Sequence, residues 1–331
     1  MLIFAGTLYG VFHGQDMGEL RKALAQCRTD WLVCAAGCVV VFVLSDAVAL
    51  WMLLDAFGMG LRQGTCIFTS CIGFFFSAIT PSATGGQPME IYYLRKRGIP
   101  VSVTTMALLT MAMAYKVAPV VIGCGLTVFA PGLLRERFGA MLFLFYIGFI
   151  LTAGLFSFLV LLIVRPQIAR GIVIWIMSVL EELHILKDRE KLQTELEVSM
   201  DMYHDAAAHL KNEPRVLAGV LGAMTLRRAA LLSVTYCVYR ALGLAGASWG
   251  ALTLIQAAIS LSVDLLPLPG GMGVSEALFV KVFGPVFGTL VLPGMLLSRG
   301  ISHYCQLILC GLVTVLALAL LKRHTKGNDT L

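Results

Sequence analysis

Five charged side chains stand in or beside runs of sequence that are otherwise apolar, and their types could do chemistry. Asp46 lies near the middle of residues 31–54, Lys116 is central in 103–129, and Arg228 falls beside Arg227 within 216–244. Asp264 and Arg299 border two further apolar stretches, while Asp55 and Arg240 are close enough to segment ends to reach water. A charge at the centre of a membrane helix costs about 2.5–3.5 kcal/mol on insertion scales unless it is paired or wetted. Retaining several therefore implies either mutual neutralisation or a ligand of complementary charge.

Two short motifs add backbone chemistry to this set. Residues 66–80 form an apolar arm that runs into Pro81, Ser82, Ala83, Thr84, Gly85, Gly86, Gln87, Pro88, Met89 and Glu90. Residues 250–266 form a second arm that runs into Pro267, Leu268, Pro269, Gly270, Gly271, Met272, Gly273, Val274, Ser275 and Glu276. Each arm is stopped by proline, each break has a glycine pair, and each places an acidic residue near the head of a new helix. Proline removes a donor and glycine permits positive φ, so neither segment continues as one uninterrupted helix. Broken backbone at membrane depth is tolerated only where it is buried in protein or lines a watery cavity.

The candidate path residues are thus Pro81, Ser82, Gly85, Gly86, Gln87 and Glu90 at the first break, and Pro267, Pro269, Gly270, Gly271, Gly273 and Glu276 at the second. Asp46, Lys116, Arg228, Asp264 and Arg299 supply the charges between them. Two readings stay open. In one, Asp46 or Asp264 simply neutralises Lys116 or Arg228. In the other, the cations and the N-termini of half-helices beginning near Met89 and Val274 hold a phosphate, while the carboxylates hold an ammonium. Glu90, Lys116, Arg228 and Glu276 are the sharpest form of that second reading.

Other chemistry finds little support. Of nine cysteines only Cys27 sits in a polar stretch, and none is spaced with histidine as a metal site requires. His204 and His209 are five apart, a poor spacing for one helix face. There is no nucleophile triad, phosphate-binding loop or dinucleotide fingerprint, so neither catalysis nor a cofactor is expected, and neither is a nucleic-acid partner.

The elements that must position these residues are membrane helices. The chain is 58% hydrophobic and 13% charged, with mean hydropathy +0.86, against roughly 25% charged in soluble domains. The apolar runs 31–54, 103–129, 141–164 and 301–321 each reach the ~20 residues needed to cross the bilayer. Period-2 alternation is absent, so an all-α, polytopic membrane protein is expected, with residues 1–331 forming one integral domain. Residues 2–13 lack the marks of a cleaved signal peptide and are too short to span; they read as the end of a first helix that begins upstream of Met1.

Residues 165–215 form the longest polar stretch. Leu192, Leu196, Met200, Tyr203, Ala207 and Leu210 recur at helical spacing, which predicts a peripheral helical hairpin at the membrane surface. With this stretch in the cytoplasm, fourteen basic residues lie inside and six outside, which also places the C-terminus inside. That count requires both broken segments to enter the membrane and return, one from each side, as an inverted repeat would.

The stretch 77–100, with its Pro-Ser-Ala-Thr-Gly-Gly-Gln-Pro run followed by Tyr92, Tyr93 and Gly98-Ile99-Pro100, together with 267–276, resembles the flippase-like family. That family is also called the transmembrane region of lysylphosphatidylglycerol synthase, and the similarity runs from about Trp31 to Leu321. The resemblance implies a multi-pass protein of the bacterial cell membrane whose partner is a membrane phospholipid. It implies transfer of an aminoacylated lipid such as lysyl-phosphatidylglycerol to the outer leaflet, which blunts cationic antimicrobial peptides. Full-length relatives add a C-terminal lysyltransferase domain, the source of the label phosphatidylglycerol lysyltransferase. The present chain ends ten residues after Leu321, so a separate aminoacyl-lipid synthase is the expected partner. Ala114-Tyr115-Lys116 also departs from the Glu-Arg pair of many relatives. The alternative is a secondary transporter of a small solute or ion, because paired re-entrant segments serve such carriers too.

Overall fold

The computed structural model describes residues 25–80, 84–165, 212–265 and 273–328, together with 167, 168, 171, 208 and 210. The predicted hairpin at 165–215 therefore lies almost wholly outside the described residues. So do Pro81, Ser82, Pro267, Pro269, Gly270 and Gly271.

The protein is an all-α, polytopic membrane protein, and no strand occurs among the described residues. Helices α1 (Thr29–Ala56), α4 (Val101–Phe129), α6 (Leu142–Val164) and α7 (Pro214–Ala241) are long and apolar enough to span a bilayer. Between them stand two shorter units. The first pairs α2 (Gln63–Ile79) with α3 (Gly86–Lys96), and the second pairs α8 (Trp249–Val263) with α9 (Val274–Phe287). At 17 and 15 residues, α2 and α8 rise about 25 and 23 Å, short of the ~30 Å of hydrocarbon.

Expected boundaries shift by only a few residues except at the last apolar run. Residues 301–321 do not form one plain helix: α10 (Val291–Arg299) passes through a π-helical turn, Gly300–Cys305, into α11 (Gln306–Asn328). Such a turn widens the hydrogen-bonding ring by one residue and re-aims the side chains on it. A short helix, α5 (Pro131–Phe138), also caps the turn between α4 and α6. Its leading proline costs nothing there, since the first amide of a helix has no partner to lose.

The long helices α1 and α7 run antiparallel. The amide of Arg28 at the start of α1 donates to the carbonyl of Ala241 at the end of α7, 2.8 Å away. At their other ends Gly219 leaves room for Met52, whose methyl group would collide with any Cβ there.

Two cores form at opposite ends of this pair. One packs Leu50, Leu53 and Leu54 of α1 against Leu94 of α3, Met106 of α4 and Val220 and Met224 of α7. The other packs Leu126 of α4, Phe138 of α5 and Phe145 of α6 against Leu261 of α8 and Phe283 of α9. The first broken unit thus belongs to one end of the bundle and the second to the other.

Close contacts of backbone hold the short helices in place. A Cβ at Gly86 would strike the Ser77 hydroxyl and lie 2.7 Å from the Gly73 carbonyl. On α6 a Cβ at Gly148 would strike the Leu261 carbonyl and lie 2.9 Å from Ser262 Cα, so α8 rests directly on the α6 backbone. In the first break the glycines are thus required for proximity, not for positive φ as their sequence suggested: Gly85 has φ −80° and Gly86 is helical. Gly273 in the second break does take positive φ, at 91°.

Candidate functional site

The first break is closed by Thr80. Its hydroxyl donates to the Phe76 carbonyl at 2.6 Å, ending α2, and accepts the Gly85 amide at 2.9 Å, starting the turn into α3. At the second break the carboxylate of Glu276, in the first turn of α9, accepts the Gly273 amide at 2.5 Å. An acidic side chain there satisfies one orphan amide and faces the positive end of the helix dipole. Entry to α8 is fixed by Tyr239, whose hydroxyl donates to the Ala245 carbonyl at 2.7 Å, and by Ser248, which caps Ala251 at 3.2 Å.

The ends of both arms meet at one cavity of about 440 Å³. Ser77 and Ala78 reach it from α2, while Asp264 and Leu265 reach it from the end of α8. Lys116, Arg228 and Arg299 line it from α4, α7 and α10. The structure thus brings together four of the charged candidates: Lys116, Arg228, Asp264 and Arg299.

Their partners differ. The Arg228 side chain is 4% exposed and pairs with Asp264, Nη2 to Oδ2 at 3.1 Å. That contact is an ion pair by distance but lacks hydrogen-bond angles, and Arg228 Nε has no hydrogen-bond partner either. Arg228 Nη1 does donate, to the Tyr115 hydroxyl at 3.0 Å. Arg299 pairs with Glu276 at 3.3 Å and donates to the Ser275 hydroxyl. Lys116, half-buried, has no ion pair or hydrogen bond among the described residues. An unpaired ammonium mid-helix carries the ~2.5–3.5 kcal/mol penalty unless water or a ligand meets it, and the cavity supplies the space for either.

Several candidates do not face this cavity. Asp46, 6% exposed in its side chain, pairs with Arg227 at 2.5 Å. It therefore neutralises neither Lys116 nor Arg228. The Arg227 guanidinium is also enclosed by rings, lying 4.8 Å from the centre of Phe42, 4.9 Å from Phe74 and 4.5 Å from Tyr115. Glu90 is buried and its carboxyl is pressed against Gly73 of α2. Because α3 begins at Gly86, not near Met89, Glu90 lies past the first turn and cannot serve the helix start as Glu276 does. Gln87 is exposed, and Gly85, Gly86, Gly273 and Glu276 flank the breaks without lining the cavity.

Sequence reasoning missed two groups. Arg227, set aside for its neighbour Arg228, is the partner of Asp46; the alternative pairing of two acids with adjacent arginines was the available signal. A belt of neutral polar groups also lines the cavity. Thr235 on α7 donates to Gln256 on α8 at 3.2 Å and lies 3.0 Å from the Ser298 hydroxyl on α10. The π-helical turn adds Ser302 and His303. Hydroxyls and amides occur throughout apolar helices, so nothing in the sequence singled these out. No cluster of three or more metal-type ligands occurs among the described residues.

The family model described as lysylphosphatidylglycerol synthase TM region matches residues 1–310. No curated protein matches the chain.

Proposed function

Because the chain belongs to the lysylphosphatidylglycerol synthase TM region family, we propose that it transfers a phospholipid between leaflets, with the headgroup passing through the cavity between the two broken segments. The observation that carries this reading is the meeting of both interrupted arms at a single polar cavity holding Lys116, Arg228, Asp264 and Arg299. Arms anchored at opposite ends of the bundle and ending at one site are the arrangement in which a small relative movement opens the site to either side. The acyl chains stay in lipid, and only the polar headgroup needs the cavity.

A phospholipid headgroup offers a phosphate, and the cavity offers cations, hydroxyls and an amide to receive it. The aminoacylated cargo expected from the resemblance also brings an ammonium, which calls for a carboxylate. Asp264 is the carboxylate that lines the cavity, and it is already engaged by Arg228.

The test is leaflet-resolved. Full-length protein is reconstituted in liposomes containing a trace of acyl-labelled phospholipid, and an impermeant quencher reports how fast inner-leaflet label reaches the outer leaflet. Protein-dependent transfer is expected. Release of a trapped water-soluble ion with no lipid transfer would sink the lipid reading in favour of a solute carrier.

A further inference from the structure

We infer that the cavity selects a phosphate headgroup carrying no ammonium, so that the cargo is an anionic phospholipid and not an aminoacylated one. This rests on the translocation reading above and narrows its substrate class. It follows from which charges are already spent.

Among the described residues, each carboxylate near the cavity has a prior engagement or does not reach it. Asp264 faces Arg228 at 3.1 Å. Glu276 faces Arg299 at 3.3 Å, and its other oxygen accepts the Gly273 amide at 2.5 Å and the Ser275 hydroxyl at 2.9 Å. Asp46 is held by Arg227. Glu90 lies against Gly73, away from the lining. Residues 81–83 and 266–272 contain no ionisable side chain in the sequence.

Cations are left over. When the two ion pairs at the cavity are cancelled, Lys116 remains without an opposite charge among the described residues. Arg228, 3% exposed as a residue, keeps Nε without a hydrogen-bond partner and meets Asp264 without hydrogen-bond angles. The Tyr115 and Ser302 hydroxyls also line the cavity, and Tyr115, which accepts from Arg228, keeps its own proton to donate. A phosphate would neutralise Lys116 and take up spare donors, which are the features of a phosphate site. An ammonium would enter beside an uncompensated ammonium and find no free carboxylate among the described residues, and like-charge juxtaposition selects against it.

The shared chemistry could come from a lipid or from free phosphate, and the experiment separates them. Full-length protein is placed in phosphatidylcholine liposomes with trace acyl-labelled phosphatidylglycerol, acyl-labelled lysyl-phosphatidylglycerol, or trapped inorganic phosphate. Transfer of phosphatidylglycerol is expected to exceed that of lysyl-phosphatidylglycerol by about tenfold or more. In Lys116→Met the ratio should fall toward one, and Lys116→Arg should keep it. Wild type moving lysyl-phosphatidylglycerol as fast as phosphatidylglycerol overturns the inference while leaving lipid translocation standing. Wild type moving neither lipid removes both, and release of phosphate in that case assigns the site to a solute. A ratio unchanged in Lys116→Met also overturns the assignment, because the selectivity would then arise elsewhere.

Discussion

At the scale of single residues, the bundle treats its buried charges in two ways. The Asp46–Arg227 pair is structural: the side chains are 6% and 16% exposed, and three aromatic rings enclose the guanidinium. Removing one partner of such a pair strands the other, which costs about 3–5 kcal/mol, whereas replacing both by apolar groups is often neutral. Asp46→Leu alone is therefore expected to lower the midpoint of thermal unfolding in detergent markedly, and adding Arg227→Met should recover most of the loss. A single variant as stable as wild type would show that the pair contributes nothing. Lys116 is the opposite case. Its ammonium has no partner among the described residues to strand, so Lys116→Met should leave that midpoint unchanged or raise it while slowing lipid transfer. A drop in stability as large as that of Asp46→Leu would make Lys116 a structural residue. The positions of both charges were legible from the apolar runs around them; their partners were not, because pairing between α1 and α7 depends on how helices separated by most of the chain come to lie side by side.

The elements raise a different question, which is what keeps two sub-bilayer helices in the bundle. Neither α2 nor α8 is long enough to anchor itself across the hydrocarbon, and each instead approaches a neighbour at backbone distance through a glycine. Gly86→Ala should thus be more harmful than its size suggests, since its methyl group would strike Ser77 and the Gly73 carbonyl. Gly148→Ala should do the same to the α6–α8 contact at Leu261. Lipid transfer by either variant is expected to fall at least about tenfold with membrane insertion intact, as in an overpacked contact worth ~1–3 kcal/mol. Gly154→Ala is the control, because nothing lies within 4 Å of the position its methyl group would take. Equal transfer by all three variants would mean that the close contacts are incidental. The breaks themselves were readable, since proline and paired glycines interrupt apolar sequence in only a few structural contexts. The reason for Gly86 was not, because proximity depends on the facing helix. The interruption at Gly300–Cys305 escaped for a related reason: a π-helical turn keeps helical composition and carries no proline to announce it.

For the whole molecule, the sequence expectation that matters most is that the two broken segments enter from opposite sides. Polarity and apolar run lengths made the all-α, membrane-spanning class legible, but they say nothing of which ends lie together. In the structure, Leu61 and Leu94 pack with the core that includes Ile163, whereas Leu244 and Ala247 pack with the core that includes Phe138 and Phe287. The turn before α2 therefore shares an end with the exit of α6, and the turn before α8 lies at the other end with α5. Helix α11 returns to the first end, where Ala317 and Leu318 pack against Met89 and Tyr93. The excess of basic residues in 62, 95–97, 165–215 and the C-terminal segment, fourteen against six, predicts that this first end faces the cytoplasm. Cysteine accessibility on a cysteine-free background tests both statements at once. An impermeant maleimide applied to intact cells should label Ala245→Cys and spare Arg62→Cys and Glu195→Cys, all three becoming reactive after permeabilisation. Labelling of Arg62→Cys and Glu195→Cys but not Ala245→Cys would invert the orientation while preserving opposite entry. Labelling of Arg62→Cys and Ala245→Cys alike in intact cells would place both broken segments on one side, and alternating access to the cavity between them would then have no structural basis.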